Sequence, residues 1–189
     1  MSLPITEEEY LTRERGARQK SEYVAGALYP VGPTSPAHAR LTANLLALLT
    51  RQTRHLAGAA TVLGPNTRLY APAGPLFTYP DAALVQGVVQ LRPDAHDDTL
   101  LNPVLLLKVL PHPMPAHFQQ VFELYYSIPT VEHVVLLTEY ATRVSLGTRQ
   151  VGELLSVHGF TSLTDSIELP DLGLVLPLAD IYRDVPLRA

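Results

Sequence analysis

No cysteine occurs in the 189 residues, which excludes disulfides and thiolate metal sites. No apolar run approaches the roughly 18 residues that a membrane helix needs. The N-terminal stretch MSLPITEEEYLTRERG has neither the basic start nor the apolar run of a signal peptide. These absences lead to the expectation of a cytoplasmic protein with no membrane partner. Lysine is scarce: of 14 basic residues only Lys20 and Lys108 are lysines. No run of basic residues occurs, and the net charge is −4. Proteins that live on nucleic acid usually carry a basic face, so this balance opposes strong non-specific binding to DNA. Only a local cleft is left to be positive. Repeats and low-complexity segments are absent too.

What is present is a core. With 47% apolar and 17% charged residues, the chain can bury a sizeable interior, and its length fits one domain spanning 1–189. Thr6 and Glu9 stand at the spacing of a capping box, predicting a helix over 7–15. Residues 21–30 (SEYVAGALYP) read as a hairpin about Ala25-Gly26. Ser35 as N-cap and Pro36 as first helical residue open a second helix. Leu41, Leu45, Leu48 and Leu49 give it an apolar stripe, and Gly58 is the expected stop. Strands are expected at 61–63, 67–70 and 81–86, with loops at 72–75 and 88–99. Residues 104–110 (VLLLKVL) form a nearly continuous apolar run, as in a central strand covered on both faces. The prolines of 111–115 require a loop. Phe118, Val121, Phe122 and Tyr125 then line one face of a helix. Strands at 133–138, 143–146 and 153–158 and a short helix at 178–182 complete an α/β sandwich around a mixed sheet.

Six segments in this order carry a resemblance. They are 21–30, 34–45 (TSPAHARLTANL), 79–85 (YPDAALV), 102–110 (NPVLLLKVL), 122–130 (FELYYSIPT) and 169–182 (LPDLGLVLPLADIY). Together they resemble the Uma-two family of restriction endonucleases, a branch of the PD-(D/E)XK superfamily. The resemblance implies a restriction-endonuclease-like core with a mixed central sheet, flanking helices and an N-terminal hairpin. It also implies hydrolysis of DNA phosphodiesters with a divalent metal, Mg²⁺ or Mn²⁺. Such a metal takes oxygen ligands from one or two carboxylates, activates water and offsets phosphate charge, while a lysine stabilises the transition state.

Carried over by position, the resemblance assigns the metal-binding aspartate to Asp81, the hairpin glutamate to Glu22, and the Ser-Pro-x-His signature to 35–38, ending at His38. The family's second metal carboxylate falls on Lys108, and its helix lysine falls on Val121. The resemblance therefore implies a degenerate site of Asp81, Glu22 and Lys108, with His38 and Glu123 as accessory candidates. Asp81 would be a metal ligand only in a functional site, and no cofactor is expected otherwise. An ammonium inside 104–110 is costly to bury without a partner, and Asp81 is the expected one. One alternative is a working endonuclease using Asp81 and Lys108 with Glu22 or Glu123. Another is a non-enzymatic interaction module. DNA and a second copy of the chain are the partners considered. His112 and His117 flank the expected site, but a Pro-rich loop gives no ligand geometry.

Overall fold

The computed structural model describes residues 4–56, 58–111, 113–150 and 155–187. Helix α1 (Glu7–Gly16) begins at the expected capping box, with the Thr6 hydroxyl accepting from the Glu9 amide and Glu9 accepting from the Thr6 amide. Strands β1 (Ser21–Val24) and β2 (Ala27–Pro30) form the expected hairpin. Ala25 and Gly26 both have positive φ, 46° and 93°, as a tight two-residue hairpin turn of this hand requires. Helix α2 (Pro36–Thr53) follows, capped by Ser35, and stops short of Gly58.

The strands continue with β3 (Ala60–Leu63), β4 (Arg68–Ala71), β5 (Leu76–Thr78), β6 (Ala82–Gln86), β7 (Thr99–Leu100) and β8 (Leu105–Leu110). Helix α3 (Phe118–Tyr125) leads to β9 (His133–Thr138), β10 (Val144–Arg149), β11 (Leu155–Phe160) and β12 (Ser166–Leu169). A 3-10 turn (Pro170–Leu172), β13 (Leu174–Pro177) and α4 (Leu178–Ile181) close the order. β5, β7, β12 and β13 were not expected. β7 is two residues inside a polar stretch that reads as loop. β12 and β13 alternate buried Ile167, Leu169, Leu174 and Leu176 with more exposed neighbours, a period-2 signal too short to stand out. The predicted strand over 153–158 begins outside the described residues.

Among the described residues a six-stranded mixed sheet runs β11-β10-β9-β8-β6-β3. Within it β8 and β9 are parallel, joined by the α3 crossover, and their neighbours are antiparallel. A second sheet runs β2-β1-β5-β4-β7, and β12 and β13 pair apart. No helix among the described residues is long and apolar enough to cross a membrane.

Strand β8 occupies the interior of the six-stranded sheet, as its apolar run predicts, and its side chains divide by parity. Leu105, Leu107 and Val109 join the cluster under α2, α4 and the β12–β13 pair. Leu106 and Leu110 join the cluster under α3, with Phe118, Val121 and Tyr125. Phe122 is only half-buried at the edge of that face. Gly147 on β10 makes room for the end of α3: a Cβ there would collide with the Tyr126 hydroxyl.

Phe118→Ala should lower stability by about 3–5 kcal/mol, since it empties a buried ring site between α3 and the sheet. Val88→Ala, at an 83% exposed position, should change stability by less than about 0.5 kcal/mol. Urea unfolding of both variants checks the placement of α3.

Candidate active site

Asp81 immediately precedes β6, where the two faces of the sheet meet. Its amide donates to the Leu107 carbonyl at 3.0 Å, which fixes it against β8. The carboxylate is buried, and donors engage both of its oxygens. Oδ1 lies 2.6 Å from His38 Nε2 and 3.4 Å from the Thr42 hydroxyl, and Oδ2 accepts from the Val109 amide at 2.8 Å. His38 reaches it from the first turn of α2. That turn is set by Ser35, whose hydroxyl accepts from the His38 amide at 3.0 Å and donates to Glu139 Oε2 at 2.6 Å. His38 Nδ1 faces Glu139 Oε1 at 3.3 Å. An imidazole between two carboxylates has acceptors at both nitrogens, which favours the doubly protonated cation. Burial alone would lower the His38 pKa, but the hydrogen bonds and charges of Asp81 and Glu139 outweigh it and raise the value above 6.5. Burial likewise works against the Asp81 charge, and the His38 bond, the Lys108 charge and the Val109 amide reverse it, so its pKa falls below 3.8.

Lys108 departs from expectation. The predicted Asp81–Lys108 ion pair does not form, although the Lys108 charge still acts on Asp81. Lys108 shares strand parity with Leu106 and Leu110, so it projects to the α3 face. The Asp81 carboxylate is meanwhile taken by a histidine from the opposite layer. Lys108 Nζ donates to the Tyr79 carbonyl at 2.8 Å and pairs with Glu22 at 3.6 Å. Glu22, on β1 of the second sheet, also accepts from the Thr78 hydroxyl at 2.6 Å and meets His117 Nε2 at 3.2 Å. His117 stacks on Tyr29 with ring centroids 3.8 Å apart. Burial opposes the Glu22 charge, and Lys108, Thr78 and His117 together still hold its pKa below the usual 4.5. For Lys108 the burial cost is exceeded by the fields of Tyr125, Asp81 and Glu22, and its pKa rises.

The other lysine comes to the same place. Lys20 Nζ lies 4.8 Å from the centre of the Tyr79 ring and bonds to the Pro65 carbonyl and Asn66. Its pKa is lowered by burial and by Lys108 nearby. The Tyr125 hydroxyl is fully buried near Lys108 and Glu22 without a formed hydrogen bond, and burial pushes its pKa up to about 12.

Thus Asp81, Glu22, Lys108, His38 and His117 gather at one end of the sheet. Glu123 does not join them. It is exposed and bonds to Gln119 one turn back on α3, because two residues from Val121 or Tyr125 is the wrong side of a helix. Val121 lies in the apolar cluster under α3. His112 lies outside the described residues. Glu139 and Tyr125 were missed. Glu139 had a signal, an acid just beyond the C-terminal end of an apolar strand, where ligands and catalytic groups of α/β sheets collect. Tyr125 reads only as part of an apolar helix face.

This architecture, a mixed sheet with a crossover helix and polar residues gathered at the strand ends, is that of the restriction-endonuclease-like proteins. A crystal structure of a nuclease described as putative and belonging to DUF820, from Anabaena variabilis, superposes with a TM-score of 0.76 at 14% identity, covering 95% of this chain and 98% of that one. The family Uma2, described as "Putative restriction endonuclease", matches residues 7–179, and the chain belongs to it. An uncharacterized protein of Synechocystis sp., sll1609, is 30% identical over 142 residues, covering 74% of this chain and 78% of that protein.

Two outcomes test the site. Lys108→Met should cost about 3–5 kcal/mol, because it strands a buried carboxylate, and adding Glu22→Gln should recover part of the loss. The stabilising effect of His38, read as the urea midpoint of the natural chain against His38→Gln, should depend on pH. Because the folded pKa is raised, the contribution is complete below 6.5 and is lost as pH rises through the raised value. At the acid end it fades as pH falls below 3.8 through the depressed pKa of Asp81. A constant difference from pH ~5 to ~9 would refute the imidazolium assignment.

Proposed function

We propose that this chain is a member of a DNA-cleaving family whose own cleft has exchanged its divalent metal for internal cations and no longer cuts DNA by the metal-dependent route. The observation that carries this reading is Lys108, at the position of the family's second metal carboxylate, bonded to the Tyr79 carbonyl and Glu22. The residues present do not fit Mg²⁺ or Mn²⁺. Both Asp81 oxygens already face donors, and the Glu22 oxygens face Thr78, Lys108 and His117. A hard cation needs free oxygens around it. Unit charges about 4 Å apart interact by ~4 kcal/mol at an effective dielectric near 20, and a dication beside an ammonium would meet more.

The role left to such a protein is binding, with DNA as the substrate class its family implies and a homodimer as the assembly. A charge of −4 makes any DNA contact local, which salt dependence of binding would register.

One observation favours a second reading: Asp81, Glu22 and Lys108 do converge, and two acids with a lysine are the residue types of a working endonuclease. Cleavage separates the two. The purified natural chain should show no Mg²⁺- or Mn²⁺-dependent cutting of plasmid DNA. Cutting that disappears in Asp81→Ala would establish the rearranged nuclease. Lys108→Glu, which restores a carboxylate, should gain Mn²⁺ binding in calorimetry. Failure of this variant to bind Mn²⁺ while still folded would refute the assignment of position 108.

A further inference from the structure

A second polar cluster lies at the opposite end of β9 from Glu139. Glu132 immediately precedes that strand, His133 opens it, and Asp171 lies in the 3-10 turn between β12 and β13. Each of the three offers a ligand atom, and these atoms all lie within 4.8 Å of one another. His133 is 5% exposed. Its Nε2 is 2.7 Å from Asp171 Oδ2, and its Nδ1 is 3.0 Å from the Thr148 hydroxyl. Thr148 is the direct cross-strand partner of His133 in the β9–β10 pair, so a paired strand fixes the far side of the ring. A Glu132 carboxylate oxygen and an Asp171 carboxylate oxygen lie within 4.8 Å of each other. Among the described residues neither has a Lys or Arg within ion-pair distance, and His133 is the charged-type partner of Asp171. Two carboxylates at one imidazole leave at least one negative charge unmatched, even with the ring protonated.

We propose that Glu132, His133 and Asp171 form a binding site for a zinc-type divalent cation. The donor set decides the class. One imidazole and two carboxylates, with water in the remaining position, suit a borderline cation, whereas Mg²⁺ prefers an all-oxygen octahedron. With metal–ligand bonds of about 2.0–2.2 Å, tetrahedral ligand atoms stand roughly 3.3 Å apart. Asp171, whose side chain is 46% exposed, therefore has to move about half an ångström from its contact with His133. In the metal-free chain Nε2–H donates to Asp171. On loading, the Nε2 proton leaves to solvent and Nδ1 takes up one proton from solvent, so the ring changes tautomer with no net proton change. The Nε2 lone pair takes the cation and Nδ1–H donates to the Thr148 oxygen. A hydrogen bond of this kind orients metal-bound histidines generally. The cation would tie the start of β9 to the β12–β13 unit, away from the Asp81 cleft.

The test is calorimetric titration of the chelator-stripped full chain with zinc chloride. One zinc per chain is expected. Glu132→Gln and Asp171→Asn, both at exposed positions, should each weaken binding at least about tenfold, and Thr148→Val by about 10–100-fold with all three ligands intact. Asp81→Asn should leave the affinity unchanged. The thermal midpoint of the natural chain should rise with zinc, and that of Asp171→Asn should not. Absence of zinc binding, or an affinity in Glu132→Gln and Asp171→Asn unchanged from that of the natural chain, overturns the site. Loss of binding in Asp81→Asn alone would place the ion in the cleft and count against the proposed loss of the metal there as well. The two inferences therefore fail in distinguishable ways.

Discussion

A charged group in the interior of a strand covered on both faces must be satisfied where it lies. Lys108 imposes that condition on this molecule. Its ammonium is largely covered, so acceptors come to it from two directions: the Tyr79 carbonyl ahead of β6 and Glu22 from the second sheet. A buried charge with such partners is tolerated, and one without them is expelled or neutralised. The arrangement of the hairpin against the main sheet is bound up with this one requirement, because β1 supplies the carboxylate.

The division of labour between the two faces follows from parity. Alternation along β8 sends Lys108 toward α3, while His38 descends from α2 on the other side to take Asp81. The cleft is thus two half-sites joined through the sheet end. One is an acid–imidazole–acid chain running Asp81–His38–Glu139, and the other is a lysine–glutamate–imidazole chain running Lys108–Glu22–His117. In each half the carboxylate oxygens facing the cleft already have donors, Asp81 from His38 and Val109 and Glu22 from Thr78, Lys108 and His117, and this supports the reading of a cleft without room for a metal.

Much of the fold was legible in the chain. The capping box at Thr6, the Ala25-Gly26 turn, the Ser35-Pro36 helix start and the apolar run at 104–110 each rest on local chemistry, and each appears where expected. What escaped was non-local. Strands of two to four residues, such as β5 and β7, exist because neighbours hydrogen-bond to them, and their own residues give little signal. The site was legible as a set of residues but not as a set of bonds. Strand parity could have turned Lys108 away from Asp81, but nothing in the chain announced that Glu22 would stand opposite it from another sheet. Glu123 misled because nearness in sequence to a helix face is not membership of it.

Gly147 has a consequence beyond its own strand. The Tyr126 hydroxyl occupies the space that any Cβ at that position would need. Tyr126 lies at the C-terminal end of α3, and His117, which holds Glu22, lies at the other end. The helix therefore rests on the sheet like a beam on a notch. Filling the notch would displace the tip of the Tyr126 ring and disturb the seating of this end of α3 on β10. The fit of the helix end to the sheet is in this sense set by a side chain that is missing.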